Sequence, residues 1–537
     1  MKIALIAPPY PLEEIPSPPL GLTYIAAVCE AAGAEVRILD YIVRGYSEAK
    51  IKAELKGFGP DVVGTNSVTM NFKRAAGILR TVKQADPGVV TLMGGPHVSF
   101  DSEAALTLYP EIDIIIKGEG EATLAELLPV IHDRKAWPGV LGIAFREKGR
   151  IMDTGPRPLI QDLDALPRPA RHLLPMARYQ ALGYPVSIIT SRGCPNQCIF
   201  CLGRRMVGQK VRFRSPALIA DEVQDLIAMG SSYINIADDL FTASKPRVRA
   251  LCHEFLKRNL DVHWSAFSRV NTVDVETLRL MKSAGCHSVS FGIESGNPEM
   301  LKRVKKGITI DQARKAAMAC REAGIRGHAS FMVGLPGENW ETMQDSLALQ
   351  NELGIESAYH FLAPFPGTEV REKIADYDLE ILTRDWDEYN ANKSIVRTSA
   401  LSARDMDDFV HGVHGRVEEA WEALKQKYAD KAATPEEQMQ VGGFYRMEMI
   451  FKLLTQDVIE DHSVYPLDKD TALEALCKTI SRLTGLDRDF VEFNIKDLMG
   501  KGYIRAAENR GETCFSWAHH VQQKEGPAHG DSHAKES

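Results

Sequence analysis

Along the first 145 residues, short apolar runs rich in β-branched side chains alternate with longer segments whose apolar positions recur every three or four residues. The runs are Ile3–Ala7, Val36–Leu39, Val62–Thr65, Val90–Met93 and Ile112–Ile116, and the segments between them include Leu22–Ala32 and Phe72–Val82. Strands that are apolar on both faces, separated by amphipathic helices, predict a doubly wound parallel sheet. Gly and Pro follow the strands in Ala7-Pro8-Pro9, Gly94-Gly95-Pro96-His97 and Gly118-Glu119-Gly120-Glu121. Ligands of such sheets bind outside the carboxyl ends of the strands, where these turns fall.

A second alternating series starts at Val186-Ser187-Ile188-Ile189-Thr190. Its later strands are expected at Tyr233–Ala237, His263–Phe267, His287–Gly292, His328–Val333 and Ala358–Leu362. Helical patterns intervene at Ala217–Met229, Val248–Arg258, Val275–Ala284, Ile310–Ala323 and Trp340–Leu353. Six such units predict a parallel barrel, partial or complete, with its chemistry on the loops after the strands. Between the two series, residues 151–182 hold scattered charges and prolines (Pro156, Pro158, Pro167, Pro169, Pro175) and read as a linker. After about residue 390 the β pattern fades. Residues 403–460 and Asp468–Leu498 read as helical, Gly500–Ile504 opens a hairpin, and the polar stretch 522–537 reads as disordered. The expected division is therefore an α/β chain of 1–150, a linker at 151–182, a barrel at 183–395, a mainly helical domain at 396–521 and a tail.

The 537 residues carry 64 Lys+Arg and 72 Asp+Glu, a formal charge of −8, with 44% hydrophobic and 25% charged residues. That acidity argues against a nucleic-acid partner. No apolar stretch approaches the roughly 18 residues of a membrane span, and the apolar run after Met1-Lys2 breaks at Pro8-Pro9, too early for an export signal. Nine cysteines form no disulfide framework, since six are scattered singly.

The other three stand together, directly after the first barrel strand, in Ser191-Arg192-Gly193-Cys194-Pro195-Asn196-Gln197-Cys198-Ile199-Phe200-Cys201. Three thiolates in one short loop suit an iron–sulfur cluster, and the missing fourth ligand leaves one iron open. A zinc knuckle is the alternative, but it pairs C-x-x-C with a second Cys/His pair, and His172 and His253 lie at no useful spacing. On this motif the chain resembles the radical S-adenosylmethionine (SAM) superfamily. The resemblance places Cys194, Cys198 and Cys201 on a [4Fe–4S] cluster, with the aromatic Phe200 beside them. It continues at the strand ends. Ala237-Asp238-Asp239-Leu240-Phe241 stands where the family holds the SAM amino group, although it departs from the Gly-Gly-Glu form, so the role falls to Asp238 or Asp239. Ser268-Arg269 stands where the family pairs the SAM carboxylate. Gly292-Ile293-Glu294-Ser295 and Phe331-Met332-Val333-Gly334-Leu335-Pro336-Gly337-Glu338 resemble segments at the ribose and adenine, which implicates Glu294 and Gly334. Taken singly, the bland readings stand beside these: a helix cap for the aspartates, a surface charge for Arg269, and half of an ion pair for Glu294.

The first 150 residues resemble the cobalamin-binding domain of one branch of that superfamily. The matching pieces are Pro8-Pro9, Pro19-Leu20-Gly21-Leu22-Thr23-Tyr24, Asp61-Val62-Val63-Gly64-Thr65-Asn66-Ser67, Gly94-Gly95-Pro96-His97 and Gly118-Glu119-Gly120-Glu121. The resemblance assigns cobalamin contacts to Leu20, Thr65, Ser67, Gly94, Gly95, His97, Gly118 and Glu119. The Asp-x-His-x-x-Gly motif of cobalt-ligating domains is missing, and His97 follows a different pattern.

What the resemblance implies is reductive cleavage of SAM at the cluster and, with cobalamin, methylation of an unactivated carbon or a phosphorus of a secondary metabolite or lipid. The same domain order occurs in anaerobic tetrapyrrole ring cyclases, so a cobalamin-dependent cyclase or oxidoreductase without methyl transfer is the second reading. A non-catalytic sensor scaffold has no use for three clustered thiols. The implied partners are a small-molecule substrate and an external electron donor of flavodoxin or ferredoxin type, and the implied location is the cytoplasm.

Overall fold

The computed structural model describes residues 1–9, 16–466, 468–509 and 511–521, so the tail expected at 522–537 lies outside the described residues. Strands β1 (Lys2–Ala7), β2 (Glu35–Asp40), β3 (Val62–Asn66), β4 (Val90–Gly94), β5 (Ile114–Ile116), β6 (Ile143–Glu147) and β7 (Arg150–Asp153) form one sheet in the order β2-β1-β3-β4-β5-β6-β7. The first five are parallel and lie within a residue or two of the apolar runs; β1, β3, β4 and β5 are largely buried on both faces, whereas the edge strand β2 exposes Glu35 and Arg37. Strand order reverses between β1 and β3, which opens a crevice at their carboxyl ends. The hairpin β6–β7 was not expected from the sequence. Its two-residue turn is Lys148-Gly149, both at positive φ (49° and 76°), a turn that more often announces itself as Asn-Gly.

A second sheet is built from β8 (Val186–Ile188), β11 (Tyr233–Ile236), β12 (His263–Ser268), β13 (Cys286–Glu294), β14 (Arg326–Val333) and β15 (Glu356–Phe361). Between β8 and β11 lies a short antiparallel ribbon of β9 (Ser191–Arg192) and β10 (Arg212–Phe213). All six long strands are parallel and sequential, and β15 does not pair with β8, so the barrel is partial. Burial alternates along the strands. Trp264, Ala266, Ala329, Phe331 and Val333 pack under the helices, while Ser265, Phe267, His328, Ser330 and Met332 are less buried and line the inner face. The helices begin where side chains can cap them: Asp274 accepts from the Thr277 amide, and Thr309/Gln312 and Asn339/Thr342 form capping boxes. Gly324 and Gly354 end two of them in the left-handed region.

One expectation changes. The segment read as a linker is a packed strap, with Leu163, Leu174, Met176 and Tyr179 buried. Its Arg171 pairs with Glu222 at 2.7 Å and donates to the Ser187 carbonyl of β8. The C-terminal region contains the helices Ala403–Ala429, Pro435–Thr455, Lys469–Thr484 and Arg488–Gly500 and the hairpin Ile504–Asn509/Glu512–Trp517. Its core, which includes Met449, Leu453, Leu476, Val491 and Phe515, closes on Val43 of the first domain and on Tyr179 and Leu182 of the strap. Asp457, itself at φ 49°, accepts from the Gly45 amide at 3.1 Å and pairs with Lys50. The last domain thus seats on the first. No helix among the described residues is long and apolar enough to cross a membrane.

Candidate functional site

The cysteine loop leaves β9 through Gly193, at φ 111°, where a Cβ would stand 2.5 Å from the Lys210 carbonyl oxygen, so only glycine lets the loop turn there. Backbone bonds then fix the loop: Cys194 N–H to Gly208 O, Ile199 N–H to Val304 O and Val370 N–H to Ile199 O. Each sulfur faces a donor. Asn196 Nδ2 lies 3.2 Å from Cys194 Sγ, Arg269 Nη1 3.6 Å from Cys198 Sγ, and Gly203 N 3.3 Å from Cys201 Sγ. Cys201 is accessible although protein surrounds it, and that enclosure, more than its neighbouring thiols, pushes its pKa up to about 11. No group of three His, Cys, Asp or Glu among the described residues stands close enough together to hold one metal ion. Three separately held, donor-facing thiols with open space at Cys201 fit a cluster that takes one cysteine per iron.

The adjacent aspartates have different fates. Asp238 is buried and accepts from the Thr190 amide at 2.6 Å, from the Ser191 hydroxyl at 2.6 Å and from the Thr190 hydroxyl, so both its oxygens lock the end of the first barrel strand. Asp239 opens into a cavity. It accepts only weakly from the Gly193 amide at 3.3 Å, and its enclosure by protein, with Asp238 adding, lifts its carboxyl above the ordinary range. Arg269 is buried, bonded through Nη2 to the Lys306 carbonyl, and its Nε has no partner. Ser268 is spent on Thr242. Glu294, at φ 73°, forms a buried ion pair with Lys306 Nζ at 2.5 Å, and that ammonium lies 5.9 Å from the Phe200 ring centre. Gly334 offers no free amide either, because Glu338 Oε2 accepts from it at 2.6 Å and from Leu335 at 3.2 Å. The structure therefore brings Cys194, Cys198, Cys201, Phe200 and Arg269 together, leaves Asp239 and Arg269 Nε with unspent capacity, and pairs Asp238, Ser268, Glu294 and the Gly334 amide with other groups of the chain.

Above the barrel mouth lies a cavity of about 390 Å³. One wall is the glycine-rich edge of the first domain, including Gly21, Thr65, Asn66, Gly94, Gly95, Gly118 and Glu119; the other is Ser191, Arg192, Ala237 and Asp239 of the barrel. A Cβ built on Gly21 or Gly118 meets no atom within 4 Å, so at these points bare backbone faces open space, which suits close approach of a large ligand. The glycine-rich wall thus fits close approach of a corrin edge or its nucleotide tail. Three of the expected contacts fall outside this lining. Leu20 yields to its neighbour Gly21. Ser67 is fully buried beneath Gly95, whose Cβ would meet the Ser67 oxygen at 2.3 Å. His97 packs its ring 4.1 Å from Phe72 and 5.0 Å from Trp386, with Nδ1 3.3 Å from Thr69 Oγ1; burial, with Arg371 adding, holds it down to about 4. It is a core histidine, because Pro96, directly after Gly94-Gly95, starts a short helix that carries His97 back into the domain.

Glu119 lines the cavity, but its carboxylate is engaged by the barrel. It accepts from Arg212 Nη1 and Nη2, both at 2.9 Å, from Arg192 Nη1 at 3.1 Å and from the Ile160 amide at 2.9 Å, while Glu121 takes Arg192 Nη2 at 2.5 Å. Burial alone lifts the Glu119 carboxyl, yet Arg212, the Ile160 amide and Arg192 outweigh it and hold it below the ordinary range. The motif Gly118-Glu119-Gly120-Glu121 therefore fastens the first domain to the barrel. Arg192 and Arg212 were not singled out from the sequence; the signal available was two arginines flanking the cysteine loop opposite two glutamates in a strand-end turn.

Comparison with known proteins agrees with this anatomy. The Radical SAM superfamily model matches residues 188–349 and the B12 binding domain model residues 15–128. A methyltransferase of Pyrococcus horikoshii, itself uncharacterized, is 34% identical over 405 residues, which is 74% of this chain and 88% of the relative. The anaerobic magnesium-protoporphyrin IX monomethyl ester cyclase of Rubrivivax gelatinosus is 27% identical over 405 residues, covering 73% of this chain and 72% of the cyclase. Among solved structures, the cobalamin-dependent S-adenosylmethionine radical enzyme OxsB, with aqua-cobalamin and S-adenosylmethionine bound, superposes with a TM-score of 0.66 at 18% identity, over 95% of this chain and 82% of that one, and so shares the fold.

Proposed function

Because the chain belongs to the radical SAM superfamily, in the branch that carries a B12-binding domain, we propose that it is a cobalamin-dependent methyltransferase acting on an unactivated carbon or a phosphorus of a small molecule. The observation that carries this reading is the single cavity whose walls are the glycine-rich strand ends of the first domain and the barrel mouth beside the cysteine loop. When bound, the cluster, SAM and cobalamin supply the one-electron reduction, the sulfonium and the methyl carrier, which no side chain can provide.

The chain's part is to hold, orient and exclude. Cys194, Cys198 and Cys201 hold the iron, and the donors Asn196, Arg269 and Gly203 N–H stabilise sulfur charge. Asp239 takes the SAM ammonium, for which it has the unspent carboxylate, and Arg269 Nε is the free donor for the SAM carboxylate. Asp238 keeps the strand end rigid beneath them. The Glu119/Glu121–Arg192/Arg212 lattice closes the seam between domains and keeps bulk water from the shared cavity. The barrel's inner face, with Asn235, Ser265, Ser290, His328 and Ser330 all half-buried, offers hydrogen bonds to a polar substrate beyond it. One-electron reduction requires a donor protein from outside this chain.

The test is anaerobic reconstitution with iron, sulfide and hydroxocobalamin, followed by metal analysis. About four irons and one cobalt per chain are expected, with the iron lost in a Cys194/Cys198/Cys201→Ala variant. Iron without cobalt refutes the two-cofactor reading. Resemblance to the cyclase favours the second activity, oxidative ring closure, and analysis of turnover products separates the two: methylated product with S-adenosylhomocysteine marks a methyltransferase.

A further inference from the structure

Beyond the cofactor sites, the cysteine loop is bordered by a concentration of cations. The sequence Leu301-Lys302-Arg303-Val304-Lys305-Lys306 places four basic residues in five positions, and it lies directly on the loop through the bond from Ile199 N–H to Val304 O, at 3.2 Å. Val304 and Lys306 point inward and are buried, while Lys302, Arg303 and Lys305 are exposed. Two further pieces continue the rim. The helix Gly203–Val207 turns Met206 and Val207 toward the cavity and carries Arg204 and Arg205, and the Lys210 carbonyl abuts Gly193 at the start of the loop. Pro195 and Gln197 of the loop itself are exposed within this rim.

The acidic residues in reach offset only part of this charge. Glu369 pairs with Lys305 and Lys373, and Glu372 with Arg205. Arg204, Lys210 and Lys302 make no ion pair among the described residues. A chain whose overall charge is −8 thus presents unpaired cations beside the exposed Pro195, Gln197 and Cys201 of the cysteine loop. An isolated charge run is ordinarily a solvated face. This one abuts the cluster ligands, and its outermost cations are left unneutralised on an acidic protein.

We infer that the rim formed by Arg204, Lys210, Lys302 and Lys305 is the docking surface for a small acidic one-electron carrier protein that reduces the cluster. The inference rests on the cluster reading above and adds where the electron enters. One electron leaves the reduced carrier and enters the iron–sulfur centre; no bond is made or broken, and no proton is taken from this chain. Charge complementarity steers the encounter, so the surface governs association rate and salt dependence more than the chemistry that follows.

The experiment uses the full-length reconstituted enzyme in anaerobic stopped flow, following bleaching of the cluster absorbance with reduced flavodoxin as the probe. The Lys210→Glu/Lys302→Glu pair is expected to slow reduction by about tenfold at low ionic strength, with the difference vanishing in high salt. Photoreduced deazaflavin, which needs no docking surface, should reduce variant and parent at equal rates. Lys302→Gln alone should give a smaller slowing, and Lys257→Glu, on a distant exposed helix position, none. Equal flavodoxin rates and equal salt dependence in variant and parent overturn the docking surface while leaving the cluster reading intact. A parent chain that takes up no iron, or whose iron deazaflavin cannot reduce, overturns the cluster reading and this inference with it.

Discussion

Replacing Glu119 by Gln keeps the shape of the side chain and removes one negative charge from a buried lattice of two glutamates and two arginines. In the parent the charges balance. In the variant Arg192 keeps Glu121, Arg212 is left with the Ile160 and Val207 carbonyls, and three guanidinium contacts at 2.9–3.1 Å lose their anionic acceptor. The exposed fractions of the side chains, 5% for Glu119, 10% for Arg192 and 4% for Arg212, leave water little chance to compensate. Breaking one partner of a buried pair costs about 3–5 kcal/mol, which is roughly 10²- to 10⁴-fold in the equilibrium for separating the two domains at this seam. Hydrogen–deuterium exchange on the whole chain reads that opening directly. Amides at 158–162 and 205–213 should lose protection by that factor, while β3, deep in the first sheet, should not change. Adding Arg212→Met should restore part of the loss, because the orphaned cation is gone. Acidification should mimic the variant. Glu119 has its carboxyl depressed in the folded chain, so its contribution is present above the ordinary glutamate range and is lost as pH falls through the depressed value. Unchanged exchange at both segments in the Gln variant would refute the reading that this lattice holds the seam.

Four other substitutions separate structure from chemistry. Asp238→Asn should cost about 2–3 kcal/mol of stability in urea unfolding, whereas Asp239→Asn should leave unfolding unchanged and weaken SAM binding by tenfold or more in equilibrium dialysis. For His97, held down to about 4 against an ordinary 6.5, the unfolded chain binds the proton first, so stability falls as pH drops from 6.5 towards 4 by up to about 3 kcal/mol. His97→Phe should flatten that slope in pH-dependent unfolding and leave the visible spectrum of bound cobalamin unaltered. Glu338, fully buried and raised to about 8, favours the folded chain most below the ordinary glutamate range and loses that contribution as pH rises through 8. Glu338→Gln should therefore gain on the parent by about 1–3 kcal/mol between pH 5.5 and 8.5, measured by urea midpoints at both values.

The parallel strands of both sheets were legible because burial on two faces leaves a continuous apolar run in the first sheet, and burial on one face leaves an alternating run in the barrel. The hairpin β6–β7 was not, since Lys148-Gly149 lacks the usual turn residues and the exposed strand Arg150–Asp153 carries little apolar signal. The cysteine loop could be read whole, its spacing being a local property. Which carboxylate in Asp238-Asp239 faces outward is not local: it depends on Thr190 and Ser191, almost fifty residues earlier, reaching Asp238 first. The same holds for Glu294, claimed by Lys306, and for Glu119, claimed by two arginines of another domain. His97 misled because glycine-rich turns mark the cavity edge, and the residue three positions on has already turned away from it.

The seat of the last domain on the first has a consequence for how the chain is made. Val43 is covered by a core that includes Phe515, so its burial waits for a segment synthesised more than 400 residues later. At about 5–20 residues per second the ribosome needs on the order of half a minute or more to deliver that partner. Throughout that interval Val43, Tyr179 and Leu182 stand as an uncovered apolar edge, and the Gly45 amide lacks the Asp457 carboxylate that accepts from it in the finished protein. A message cut short before residue 435 would leave that edge bare permanently, so premature termination would yield a protein whose first domain is complete in sequence yet open to aggregation.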